Sequence, residues 1–210
     1  QTWVRSQQGK YLLRRGINLL QQGDLAAATT ALTAALEKHP NPAEVHIQRG
    51  VAHLQKAAYE DAWVDFDQAI ARHPEDARAY SYRGLARYQL DDEVGALADW
   101  AIALQYEPRD ANVRYNRGLI WAQKQQYQDA LADFDVALEQ NPLLSEAYLH
   151  RGKVKQQLGD LNGAVKDWEL ALCNDLRLEE AQQLLLSIRQ HTENSSLQQQ
   201  FLDLLPEGFT

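Results

Sequence analysis

Side chains that could ligate a metal ion or act as a nucleophile are few and scattered in this sequence. There are six histidines and one cysteine, which excludes a C-x-x-C pair, and no H-E-x-x-H motif occurs. His46 and His53 lie on one predicted helix, two turns apart, and we interpret them as packing residues rather than metal ligands. Cys173, near the end of another predicted helix, is also interpreted as a packing residue. We therefore predict no metal site, no cofactor and no catalytic residue.

Arginines and aspartates each recur at a constant interval of 34 residues, the repeat interval. They suggest structural ion pairs rather than catalysis. The arginines are Arg15, Arg49, Arg83, Arg117 and Arg151, and the aspartates are Asp65, Asp99, Asp133 and Asp167. A guanidinium and a carboxylate can share two parallel hydrogen bonds. If each arginine pairs with the following aspartate, only Arg15 lacks a partner, because Ala31 takes that place. Pairing with the preceding aspartate leaves Arg15, Arg49 and Asp167 without partners, so we favour the first arrangement.

Small and bulky apolar residues share this interval and predict closely packed helices. A glycine follows each arginine, at Gly16, Gly50, Gly84, Gly118 and Gly152. In each interval two alanines flank a large apolar residue, as Ala96 and Ala103 flank Trp100. Because glycine inside a helix costs about 1 kcal/mol relative to alanine, its recurrence indicates that a second helix approaches closely. Prolines that end the second helix close the first four intervals, at Pro40, Pro74, Pro108 and Pro142.

The interval, with its glycine, its alanine and aromatic spacing and its final proline, resembles the tetratricopeptide repeat in length and in pattern. The aromatic opening of that repeat is only partly kept: Tyr80 and Tyr148 stand at its tryptophan position, and Trp121 fills its last aromatic position. The resemblance implies an all-α fold, a right-handed superhelical α-solenoid of helix–turn–helix repeats. We assign five repeats, to residues 9–42, 43–76, 77–110, 111–144 and 145–178.

The segments that flank the repeats differ from them in sequence. Residues 1–8 form a lead-in, in which Trp3 and Val4 either pack on the end of the stack or fray. Residues 179–191 are predicted to be an amphipathic capping helix, because apolar residues recur at helical spacing. Those residues are Ala181, Leu184, Leu185 and Ile188. Residues 192–210 are predicted to be a tail with a short amphipathic helix, which either adds a second cap or docks in a groove of its own or of a neighbouring chain.

Composition excludes several classes of partner. The chain of 210 residues carries a net charge of -8, which argues against nucleic-acid binding and against docking on anionic membranes. It has no apolar run of about 18 residues, so we expect no membrane insertion. The chain starts at Gln1 and contains no methionine. We therefore expect a processed or excised chain, from which a targeting segment could have been removed. The single cysteine, Cys173, is compatible with a reducing compartment, and we expect the cytoplasm.

The resemblance also implies where a ligand binds, because the first helices of such repeats line a concave groove. At its groove positions this sequence places arginine, tyrosine, asparagine and glutamine, which suit peptide recognition. The candidate groove residues are Arg78, Tyr82, Tyr88, Asn112, Tyr115, Asn116 and Gln123.

We therefore predict a protein–protein interaction module that binds a peptide or a partner protein and acts as an adaptor, scaffold or assembly factor. Repeats of this style suggest a bacterial or organellar protein, and assembly of membrane or photosynthetic complexes is one option within this prediction. Two alternatives stay open: a self-associating structural solenoid, and the substrate-binding part of a longer enzyme. The chain is expected to be a monomer or a homo-oligomer formed through its terminal helices.

Overall fold

The computed structural model describes residues 2–190, and every regular element in that range is an α-helix. The helices are α1 (Thr2–Gln21), α2 (Leu25–Leu36), α3 (Pro42–Gln55), α4 (Tyr59–Arg72), α5 (Ala77–Gln89), α6 (Glu93–Tyr106), α7 (Ala111–Gln123), α8 (Tyr127–Gln140), α9 (Ser145–Gln157) and α10 (Leu161–Asn174). A further helix, α11, covers residues 179–190. None of these helices is both long and apolar enough to cross a bilayer.

The chain forms two compact units, the first ending at Asn116 and the second beginning at Arg117. In the first unit each of the helices α1 to α5 packs on the next one, and α3 also contacts both α1 and α5. In the second unit α9 packs on both α8 and α10. We call α1, α3, α5, α7 and α9 the first helices, and α2, α4, α6, α8 and α10 the second helices.

Polar side chains and left-handed turns set the boundaries between first and second helices. Asp92 and Asp160 cap α6 and α10, and each accepts a hydrogen bond of 2.8 Å from a backbone N–H of the first turn. Asp24 caps α2 in the same way, with a distance of 3.1 Å to the nitrogen of Ala27. One residue with positive φ lies in each turn, at Gly23, Ala57, Asp91, Gln125 and Gly159.

The recurring glycines contact the bulky residue of the following second helix, which explains their presence inside helices. A Cβ atom on Gly50 would lie 2.6 Å from Cε1 of Phe66, and one on Gly118 would lie 2.8 Å from Cε1 of Phe134. Gly16, Gly84 and Gly152 approach Leu32, Trp100 and Trp168 in the same manner. All five bulky side chains are fully buried. The close approach predicted from the sequence is therefore confirmed.

The indole N–H groups of two buried tryptophans form hydrogen bonds to the backbone. The indole Nε1 of Trp100 donates to the carbonyl oxygen of Ser81 at 3.1 Å, and that of Trp168 donates to the carbonyl oxygen of Leu149 at 3.2 Å. Each bond joins a second helix to the first helix before it. The large side chain therefore fills space and also fixes the register of the helix pair.

The two ends of the described chain differ in how well they are covered. In the second unit, α11 buries Ala181 against Trp168 and Leu149, with Leu184, Leu185 and Ile188 packed around them. Residues 2–8 form the first turns of α1, and Trp3 and Val4 are exposed there, at 72% and 61%. His191 and the predicted tail at 192–210 lie outside the described residues, and the repeat boundaries stay predictions.

Candidate functional site

The recurring arginines and aspartates form bidentate ion pairs within four helix pairs. Arg49 donates from Nε and Nη2 to the two carboxylate oxygens of Asp65, both at 2.8 Å. The same fork joins Arg83 to Asp99, Arg117 to Asp133 and Arg151 to Asp167. The four aspartates are at most 2% exposed. The predicted pairing is confirmed, and within residues 2–190 Arg15 has no ion-pair partner.

Burial opposes ionisation of Asp65, but hydrogen bonds from His46 and Arg49 outweigh it and hold its pKa below the usual range. The His46 Nδ1 lies 2.8 Å from Oδ1 of Asp65. This carboxylate is therefore a charged structural group held by its own chain. Its buried position and its partners do not suit a general base.

Two of these arginines form a second ion pair with another aspartate, which was not predicted from the sequence. Arg83 donates from Nη1 to Asp67 at 2.7 Å, and Arg151 donates from Nη1 to Asp135 at 2.6 Å. Both aspartates lie on the second helix that precedes the arginine, so the arginine connects consecutive helix pairs. Asp67 and Asp135 are separated by two repeat intervals. That spacing is the sequence signal that could have revealed them.

Residues considered for metal binding or nucleophilic chemistry occupy structural or surface positions. His46 bonds Asp65, and Nε2 of His53 lies 3.8 Å from the same carboxylate. Within residues 2–190 no group of histidine, cysteine and carboxylate side chains could hold a metal ion. Cys173 is exposed, so its interpretation as a packing residue was wrong. It lies in the last turn of α10, whereas Trp168 of the same helix is buried.

His150 is a partly buried titratable side chain on α9. Its burial, reinforced by the positive charge of Lys153, lowers its pKa to about 4. Burial likewise lowers the pKa of His53 on α3. Both imidazoles are therefore neutral at physiological pH.

Of the predicted groove residues, Arg78 is held by two carboxylates of its own chain. It donates from Nη2 to Glu44 at 2.9 Å and to Asp76 at 2.8 Å, and from Nε to Asp76 at 3.1 Å. The hydrogen bond to Asp76 contributes most to raising its pKa. Glu44 and Arg78 are one repeat interval apart in sequence, so their contact shows that equivalent positions of α3 and α5 face each other.

The two groove tyrosines on α5 are only partly exposed. The ring of Tyr82 stacks on Phe66, with ring centroids 5.5 Å apart, and it packs against two clusters of buried residues. The ring of Tyr88 lies 6.1 Å from that of Trp100. Tyr82 is thus a packing residue as well as a groove candidate, which the sequence did not reveal.

The remaining groove candidates lie on α7. Asn112 is exposed, and Tyr115 and Asn116 are half-buried. Within residues 2–190 the side-chain amides of Asn112 and Asn116 form no hydrogen bond. These two residues are one helical turn apart, so both amides lie on the same face of α7. Gln123 ends α7 and is exposed, and it belongs to the second unit.

A sequence profile matches this pattern over most of the chain. The profile describes the tetratricopeptide repeat, and it matches residues 13–63, 65–101 and 95–145. The chain belongs to the tetratricopeptide repeat family. Its all-α solenoid fold agrees with this assignment, as does the contact between glycine and bulky residue in each helix pair. Among curated proteins, none matches this sequence.

Solved structures of tetratricopeptide repeat proteins share the fold. TTC0263 from Thermus thermophilus is similar with a TM-score of 0.68 and 22% identity, over 85% of this chain and 97% of that chain. MamA from Desulfovibrio magneticus RS-1 is similar with a TM-score of 0.67 and 19% identity, over 81% and 97%. YrrB, a tetratricopeptide repeat protein with an unusual peptide-binding site, is similar with a TM-score of 0.62 and 20% identity, over 82% and 89%.

Proposed function

We propose that this protein binds an extended peptide segment of a partner protein along the first helices of its first unit, and acts as an adaptor, scaffold or assembly factor. The observation that carries the proposal is the pair of amides on Asn112 and Asn116, which have no hydrogen-bond partner within residues 2–190. An asparagine amide can donate to a peptide carbonyl and accept from a peptide N–H at the same time. Two of them, one turn apart, suit a main-chain ligand.

The neighbouring residues on α5 supply the rest of the surface. Arg78 and Asn112 hold equivalent positions of successive first helices, as Glu44 and Arg78 do. We therefore expect Asn112 to lie beside Arg78. Since Glu44 and Asp76 already bind Arg78, a ligand carboxylate gains little there, and the ligand is recognised mainly through its backbone. The peptide-binding site of YrrB supports the view that this fold accommodates a peptide.

The test begins with a ligand selected from a random peptide display library. Its affinity is then measured by calorimetry for the wild type and for the Asn112→Ala, Asn116→Ala double variant. We expect a loss of at least about tenfold, the equivalent of one or two hydrogen bonds. Arg78→Ala should have a smaller effect, because its guanidinium is occupied.

A matched control removes exposed amides elsewhere on the chain. Gln128 on α8 and Asn162 on α10 are both exposed, so a Gln128→Ala, Asn162→Ala variant should bind the peptide as tightly as the wild type. Equal binding by the Asn112, Asn116 variant and by this control would place the ligand elsewhere and reject the proposed surface.

A further inference from the structure

The outer face of α1 is open, although the same face is buried in the next first helix. Tyr11 is 61% exposed and Asn18 is also exposed. The equivalent residues of α3 are Val45 and Ala52, and both are fully buried in the cluster that contains residues of α2. In α1 this face holds a depression of about 730 Å³, lined by Tyr11, Arg14, Arg15, Ile17, Asn18, Leu19 and Gln22.

The charge of α1 is opposite to that of the whole chain. This helix carries four basic residues and no acidic residue, whereas the chain has a net charge of -8. Arg15 lies in the depression and lacks the aspartate that pairs with the other recurring arginines, because Ala31 is at that place. The face therefore favours an acidic occupant with apolar side chains.

The later helix pairs show what kind of helix fits on this face. Arg83 binds Asp67 of the preceding second helix, and Arg151 binds Asp135 of the preceding second helix. In each case the aspartate lies 16 residues before the arginine in sequence. Arg15 forms no ion pair within residues 2–190, so its Nη1 is available to an aspartate at the same place on a neighbouring helix.

An aspartate near the end of the sequence lies in the same register as Asp67 and Asp135. Asp203 follows Asp135 at the same distance at which Asp135 follows Asp67, and Leu202 is in register with the bulky residues of the second helices. Residues 192–210 also contain Glu193 and Glu207 and no lysine or arginine. The segment 195–208 therefore has the sequence of a second helix that offers Asp203 to a following arginine.

From these observations we propose that α1 of one copy docks on the segment 195–208 of a second copy, with Arg15 pairing with Asp203. The contact continues the repeat interval from one molecule into the next. Because it joins two different surfaces, each copy keeps one free end, and assembly proceeds head to tail without closing at a dimer.

The experiment measures the mass of the full chain by sedimentation velocity over a concentration series. For the wild type we expect the average mass to rise with concentration beyond that of a dimer, and to fall with added salt, because the contact pairs opposite charges. Arg15→Asp and Asp203→Arg should each weaken association at least about tenfold. The double variant restores opposite charges at the contact and should associate again.

A mixture of two neutral variants distinguishes this contact from other modes of association. The Arg15→Gln protein retains Asp203, and the Asp203→Asn protein retains Arg15. One molecule of each therefore forms a single intact contact, and growth stops at a dimer because the two remaining surfaces lack their charges. Lys56→Asp makes the same change in charge as Arg15→Asp at an exposed residue outside this face and should associate like the wild type. If Arg15→Asp loses helical content, Arg15→Gln replaces it in the series.

The remaining outcomes overturn the proposal. A wild type that stays monomeric at every concentration excludes the contact between copies. In that case the occupant of the α1 face would have to be another protein. Association that Arg15→Asp leaves unchanged, or a mixture that forms no dimer, excludes the pairing of Arg15 with Asp203. Peptide binding by Asn112 and Asn116 is measured separately and does not depend on this result.

Discussion

At the scale of single residues, the fold depends on contacts between a glycine and a large apolar side chain. Each recurring glycine accepts a fully buried bulky side chain from the second helix, as Gly84 accepts Trp100. Any other residue at the glycine would require a rearrangement, and a smaller residue at the partner position would leave a cavity. The glycine and its partner therefore specify the distance between the two helices together.

Replacing Trp100 with alanine tests this pairing. Trp100 is 0% exposed, so Trp100→Ala should lower the free energy of unfolding by roughly 3–5 kcal/mol, measured by urea denaturation. Trp100→Phe provides the control, because Phe66 and Phe134 fill the equivalent space in other helix pairs. It should cost less, mainly the hydrogen bond to Ser81. A loss below about 1 kcal/mol for Trp100→Ala would contradict the buried position.

At the scale of helices, α11 covers the apolar side of the last helix pair. Its Leu184, Leu185 and Ile188 pack on the cluster that contains Trp168 and Leu149. A repeat protein needs such a helix because its terminal repeat otherwise exposes an apolar face to water. Among residues 2–190, no helix covers α1 in this way, and Tyr11 remains exposed.

Removing the apolar contacts of α11 should destabilise the second unit. We expect the Leu184→Ala, Leu185→Ala, Ile188→Ala variant to lose at least about 2 kcal/mol of unfolding free energy, since partly buried side chains are truncated. The loss is measured by urea denaturation. Leu186→Ala is the control on the same helix, because Leu186 is 55% exposed, and it should change stability by less than about 0.5 kcal/mol. Equal losses in both variants would mean that α11 does not act as a cover.

The helices and their contacts could be predicted from the sequence because they follow a fixed interval. The all-α fold and the pairing of Arg49 with Asp65 could be predicted this way. The turns were harder, since Ala57 and Gln125 adopt positive φ although neither residue type favours it. Local chemistry identifies such a turn at glycine, as at Gly23, and at aspartate, as at Asp91, because these residue types adopt positive φ more readily.

The candidate site was less accessible to sequence reasoning than the fold. Position in the repeat indicates which residues point to the groove, but it does not show what they already contact. Arg78 is bound by Glu44 and Asp76, and Tyr82 packs on Phe66. These contacts depend on side-chain conformation, which the interval does not determine.

At the scale of the whole molecule, two electrostatic effects oppose each other as the pH falls. The net charge of -8 decreases in magnitude towards the isoelectric point near pH 5.2, which relieves repulsion and favours the folded state. The partly buried His53 and His150 act in the other direction. Their pKa values are lowered in the folded state, so the unfolded chain binds more protons and stability falls as the pH falls.

We expect the histidines to dominate at physiological salt, because diffuse repulsion is screened and buried groups are screened much less. Stability should therefore fall between pH 6.5, the ordinary pKa of histidine, and about 4, the pKa of His150 in the folded protein. The contribution of His150 is about 1–3 kcal/mol. It is measured as the difference between denaturation curves of the wild type and His150→Gln across this range. Identical pH dependence in the two proteins would show that His150 does not titrate in this way.

The alternation of the buried aromatic residues has a consequence for how the chain could be lengthened. Trp100 and Trp168 share an indole hydrogen bond to the preceding helix, whereas Phe66 and Phe134 fill the same place in the intervening pairs. The helix caps at Asp92 and Asp160 alternate in step with the tryptophans. The structural period in this part of the chain is therefore two repeats, and an inserted copy of a two-repeat piece would reproduce only helix contacts that the protein already contains.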